Sequence, residues 1–169
     1  MTKMKQLLVV MVLLCVALTG CEKGPQTLDE KAGGFSYDLP AGWTISDLGG
    51  VKYKVARWQA VHGFAPNIVV VDEEFRGKLA EYVDLNVQNL DKVLTGVKVL
   101  KREKVTTSAG QAGVRVVIVN EQGGRQLRQT FYFYENGSRK YVVTCTAPAE
   151  NGESLDAMFE EIMNTFRLQ

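Results

Sequence analysis

GVRVVIVNEQGGRQLRQTFYFYENGSRKYVVTCT, residues 113–146, decides the fold of this 169-residue chain. It holds three β-rich runs, 113–120, 126–135 and 140–146, built from β-branched and aromatic residues that suit a pleated, packed surface. Gly123-Gly124 and Asn136-Gly137 separate them. These pairs supply the positive φ angles that two-residue hairpin turns require, so consecutive runs are expected to be antiparallel neighbours. A fourth run, 97–106, precedes them. Within 131–134, Phe131 and Phe133 alternate with Tyr132 and Tyr134, so each pair takes one face of its strand.

Outward from this run the period changes. Leu79, Tyr82, Val83, Val87, Leu90 and Leu94 recur at helical spacing, with Glu81, Asp84, Gln88 and Asp91 for the wet side. At the other end Leu155, Met158, Phe159, Ile162, Met163 and Phe166 form an apolar stripe against Asp156, Glu160 and Glu161, and Ser154 is the expected helix cap. Ahead of the first helix, Phe35-Ser36-Tyr37-Asp38 and Trp43-Thr44-Ile45-Ser46 flank Pro40-Ala41-Gly42 as a tight strand-turn-strand unit. Two further strands are expected over 53–60 and 67–73, split by His62-Gly63-Phe64-Ala65-Pro66. The reading is α+β: an antiparallel β-sheet packed with helices, in one domain over residues 35–169.

The first twenty residues belong to a different class. Lys3 and Lys5 precede an unbroken apolar run, LLVVMVLLCVAL over 7–18, followed by Thr19, Gly20 and Cys21. As a helix this run reaches roughly 18 Å, short of the ~30 Å hydrocarbon core, which favours an export signal over a membrane span. Leu18-Thr19-Gly20-Cys21 resembles the bacterial lipobox, whose cysteine receives diacylglycerol before the signal is removed. Residues 1–20 are therefore expected to be a lipoprotein signal peptide and Cys21 the lipid attachment site. Glu22 stands where an Asp resembles the enteric inner-membrane retention signal, which tilts the expected location to the outer membrane, facing the periplasm. The polar stretch EKGPQTLDEKAGG, 22–34, has no apolar period, so 21–34 reads as a lipidated N-terminus and flexible tether reaching up to about 45 Å. Loss of Cys15 with the signal and lipidation of Cys21 leave Cys145 without a disulfide partner, and its apolar setting points to a buried thiol.

Composition excludes several classes. With 46% hydrophobic and 23% charged residues the chain is neither disordered nor a polytopic membrane protein. Lys+Arg 20 against Asp+Glu 19 leaves no broad basic field for nucleic acid. Neither GxGxxG nor GxxxxGK[ST] occurs, so a nucleotide has no phosphate loop to sit on. His62 is the sole histidine and lies in an expected loop, too little for a Ser-His-Asp or zinc site. Asp72-Glu73-Glu74 lacks the spacing of a calcium loop and reads as a solvated strand end. Lys98, Lys101, Arg102 and Lys104 divide between the faces of a strand and are expected to keep a sheet edge soluble. No catalytic residue, cofactor or metal is expected.

The segments FSYDLPAGW (35–43), NIVV (67–70), YVVTCTAP (141–148) and the helix closing through Phe159 and Phe166 on Arg167-Leu168 together resemble the PsbP-like α/β/α sandwich group, nearest to its DcrB-like bacterial lipoproteins. The resemblance spans roughly residues 35–168. It implies a largely non-enzymatic protein that acts by binding others, and it brings no catalytic motif. The expected function is thus a membrane-anchored envelope lipoprotein serving as a protein-binding or assembly module, with an envelope protein as partner. Tyr132 and Tyr134, if their face were open, would form a docking patch. A periplasmic carrier of a small apolar ligand and an envelope hydrolase are the alternatives.

Overall fold

The computed structural model describes residues 24–169; the expected signal peptide and Cys21 lie outside the described residues. In chain order the first elements are β1 (Gln26–Glu30), β2 (Phe35–Leu39), β3 (Thr44–Ser46), β4 (Val55–Arg57) and β5 (Asn67–Glu74). Helix α1 (Leu79–Val93) follows, then β6 (Thr95–Thr106), β7 (Ala112–Gln122), β8 (Arg125–Asn136) and β9 (Arg139–Pro148). A 3-10 turn (Ala149–Asn151) leads into α2 (Gly152–Asn164), and β10 (Arg167–Leu168) closes the chain.

The four-run reading holds. β6 to β9 form an antiparallel meander within a seven-stranded sheet of order β3-β4-β5-β9-β8-β7-β6. Gly123 and Gly124, φ 60° and 74°, make the first hairpin as a type I′ turn must, with both central residues left-handed. In the second hairpin Asn136 pairs with Arg139, so the loop is Gly137-Ser138, one residue later than expected. Only Gly137 takes a positive φ, 61°, the pattern of a II′ turn.

Each face of this sheet is covered. α1 lays Tyr82 and Val83 on Val116, Ile118, Phe133 and Val142. On the opposite face a second sheet, of order β1-β2-β10, joins α2 in covering Ile68, Tyr132, Tyr134, Tyr141, Val143 and Cys145. Phe166 is fully buried at the centre of this layer, 4.6 Å from the Tyr134 ring centroid, 5.9 Å from Phe35 and 6.4 Å from Tyr37. Gly113 is required beneath Tyr134, because a Cβ there would stand 2.6 Å from the ring and 2.7 Å from the Phe133 carbonyl.

Four expectations are corrected. The tether over 22–34 is in part folded: β1 pairs with β2 in the register Leu28↔Tyr37, and Leu28 is buried. One inward apolar residue in a five-residue strand left no period to read. β2 and β3 are not hairpin partners, since the chain passes between sheets at Pro40-Ala41-Gly42. The strand expected over 53–60 shrinks to Val55–Arg57. Ser154 does not start α2, because the 3-10 turn feeds directly into a helix that begins at Gly152.

Asp72 is also more than a solvated strand end. Its side chain is only 3% exposed and lies 2.6 Å from Lys52 Nζ and 3.2 Å from Arg139 Nε, while Tyr53 donates its hydroxyl at 2.8 Å. Glu73 accepts from Tyr82 and Glu74 from Ser138, so the three carboxylates diverge. Burial pushes the Asp72 carboxyl up, but the Lys52, Tyr53 and Arg139 donors outweigh it and hold it below the usual carboxylate range.

Two outcomes follow from this packing. Phe166→Ala should cost about 3–5 kcal/mol of stability, read as a lowered urea midpoint at unchanged slope. A carboxyl with a depressed folded pKa contributes stability above its unfolded value of about 3.9 and loses it as pH falls through the folded value. Asp72→Asn should therefore lower stability at neutral pH and flatten its fall below about pH 5. Urea midpoints across pH check this, and an acid limb as steep as that of the parent chain would contradict it.

Candidate functional site

Between β6, β7, β8 and α2 lies an open cleft of about 380 Å³. Strand alternation builds its floor. Glu103 on β6, Arg115 on β7 and Tyr132 on β8 are successive register partners, so all three project to the α2 face. Lys101 and Val105 follow at the same period on β6, and α2 adds Glu160, Met163 and Asn164 from above.

Arg115 organises the site. Its side chain is 7% exposed, and Nη1 donates to Glu160 and, at 3.2 Å, to Glu103. Nη2 lies 3.9 Å from Asp156, which itself takes two hydrogen bonds from Arg128 at 2.8 and 2.6 Å. The guanidinium carbon stands 5.9 Å from the Tyr132 ring centroid, within cation–π range. Burial opposes the charge, yet Tyr132, Glu160 and Asp156 more than offset it, and the Arg115 pKa lies above its ordinary value. Arg115 Nε and the Tyr132 hydroxyl are buried without a hydrogen-bond partner.

Tyr132 and Tyr134 therefore do not form an exposed docking patch. They are 3% and 1% exposed, stacked 6.5 Å apart, and the second sheet and α2 cover the face on which they lie. Burial also pushes both phenols well above the ordinary tyrosine range. Cys145 is fully buried beside them, and burial pushes its thiol up, away from a reactive thiolate. His62 sits elsewhere, in a loop at φ 50°, with Glu150 3.9 Å from its exposed Nε2. Among the described residues no group of His, Cys, Asp and Glu is placed to hold a metal ion.

Lys98, Lys101, Arg102 and Lys104 do lie on an edge, since β6 ends the seven-stranded sheet. Register puts Lys98 and Lys101 on the α2 face and Arg102 and Lys104 on the α1 face. Lys101 pairs with Glu103 at 2.9 Å and Arg102 with Asp84 at 2.6 Å. The residue missed in the sequence is Arg115. Its signal was present, as the one charge inside Val114-Arg115-Val116-Val117-Ile118-Val119, a run otherwise suited to burial on both faces.

The comparisons accord with this architecture. Cyanobacterial PsbP (CyanoP) from Synechocystis sp. PCC 6803 superposes with a TM-score of 0.63 at 14% identity, covering 90% of this chain and 99% of its own. PA94 from Pseudomonas aeruginosa gives 0.61 at 18% identity, with coverages of 87% and 99%. LpqN from Mycobacterium tuberculosis, described as involved in cell envelope biogenesis, gives 0.60 at 15% identity, with 87% and 92%. At these identities the likeness is one of fold, a PsbP-like α+β architecture. No curated protein sequence matches the chain. The DcrB family profile matches residues 38–165, from the end of β2 to just past α2, and the chain belongs to the DcrB family.

Proposed function

We propose that this DcrB-family chain is a bacterial cell-envelope lipoprotein, held to a membrane by lipid on Cys21 and facing the periplasm, that works as a non-catalytic protein-binding or assembly module. The observation that carries the reading is the Leu18-Thr19-Gly20-Cys21 segment at the end of a twelve-residue apolar run, set directly ahead of a folded domain. The description of LpqN as a protein of envelope biogenesis supports the same compartment. Glu22 after the cysteine favours the outer membrane.

The folding of β1 sharpens the mechanism. Only Glu22, Lys23, Gly24 and Pro25 separate Cys21 from the first strand, a reach of about 17 Å rather than the 45 Å of a free thirteen-residue leash. A domain held so close meets partners at or near the membrane face. Confinement raises their effective concentration, so a modest contact suffices. At the cleft Arg115 is engaged by Glu103 and Glu160 and no low-pKa thiol is present, which favours recognition over chemistry. The carrier reading wants apolar space between helix and sheet, but Tyr82 and Val83 fill the α1 side against Val116 and Phe133, and the open cleft on the α2 side is lined by the charged Lys101, Glu103, Arg115 and Glu160.

Mass spectrometry of the mature N-terminus should find Cys21 as the first residue, carrying acyl chains, and Cys21→Ser should move the protein out of the membrane fraction. Unchanged processing and fractionation would remove the anchor from the proposal. Cross-linking in intact cells should recover a specific envelope protein; recovery of abundant bystanders alone would count against the binding module.

A further inference from the structure

We infer that β6 is a docking edge: an acidic, extended segment of a partner protein adds to the sheet along residues 101–106, with alternate side chains over the Arg115 cleft. This rests on the binding-module reading and names the chemistry of its partner. Among the described residues β6 pairs only with β7, so the opposite side of a twelve-residue strand presents free backbone donors and acceptors. At the other end of the sheet β3 has three residues, too few to template a partner strand of useful length.

The edge is not uniform. Register shifts between Thr95 and Lys98 and between Val99 and Lys101 disturb its first half, and such bulges discourage pairing. From Lys101 to Thr106 the register against β7 is unbroken. The loop beyond is held in place, since Ser108 donates both its amide and its hydroxyl to the Asn164 carbonyl at the end of α2. The undisturbed half borders the cleft.

Charge selects the occupant. Within 101–106 three cations stand against one carboxylate; Lys101 and Arg102 are paired with Glu103 and Asp84, while the exposed Lys104, on the α1 face, and Lys98, just ahead of the segment, have no carboxylate partner among the described residues. A second copy of β6 would bring like charges together, whereas an acidic strand meets complementary ones. Strand addition takes its affinity from main-chain hydrogen bonds and its specificity from alternate side chains. On the α2 side those side chains pass over the cleft lined by Lys101, Glu103, Arg115 and Glu160.

The test uses the full chain in detergent micelles and three labelled hexapeptides: Val-Glu repeated, Val-Lys repeated, and the acidic peptide with proline replacing two valines. Fluorescence anisotropy should show binding of the acidic peptide alone, weakened by salt and weakened about tenfold or more by Lys98→Glu with Lys104→Glu. Hydrogen exchange should slow at β6 on binding and stay unchanged at β3. Equal binding of the acidic and basic peptides, undiminished binding of the proline peptide, or concentration-dependent protection of β6 without peptide would each overturn the assignment. In cells, a cross-linked partner that persists undiminished in the double variant would remove β6 while leaving the binding module standing. Loss of every specific partner from the parent chain would strike the module itself.

Discussion

Phe166 stands where both sheets and the second helix meet, and the rest of the molecule is arranged around its ring. It stacks on Tyr134 at an interplanar angle of 11° and on Phe35 at 19°, so one side chain from the end of α2 bridges β8 and β2. Such contacts contribute about 0.5–1.5 kcal/mol each beyond the area they bury, and here they join segments from opposite ends of the chain. The requirement passes outward. Tyr134 needs Gly113 beneath it, and Tyr141 donates a buried hydrogen bond to the Gly33 carbonyl, which ties β9 to the β1–β2 turn. With the ring in place, β10 follows at once, and Arg167 reaches Asp38 and Ser36 to close the small sheet.

The α1 half has a different logic. β5 pairs with β9 in the middle of the sheet, yet the chain then leaves through α1 and resumes at β6 on the far edge. The β6–β9 meander returns it strand by strand to β5. α1 therefore spans the face it covers, and its buried side chains, Tyr82 and Val83, rest on strands that come later in the chain. β6 is left as the edge because it is the first strand laid down after the crossover.

What was legible in the sequence follows from how each signal is carried. The hairpins were readable because Gly123, Gly124 and Gly137 answer a backbone demand that few other residues meet. The helices were readable because a 3.6-residue period sustained over several turns has no other explanation. The small sheet was not. β1 carries one inward apolar residue and β10 has two residues, so both exist through tertiary pairing with β2 rather than through a pattern of their own. Tyr132 and Tyr134 were expected to share one face, as they do, but whether that face was open depended on this same sheet. Arg115 remained hidden because its carboxylate partners, Glu103 and Glu160, come from another strand and a distant helix.

The small sheet also separates two tasks. The N-terminal link enters the fold through β1, whereas the free edge belongs to the large sheet and lies six strands from β3. In the proposed arrangement tethering and recognition would load different sheets, joined by the aromatic layer around Phe166. A partner strand on β6 would extend a ladder already continuous from β7 to β5, linked to the small sheet by that buried layer and by the chain crossing at Pro40-Ala41-Gly42. Arg115 is steadied from both sides of the cleft, by Glu103 on the edge strand and Glu160 on α2.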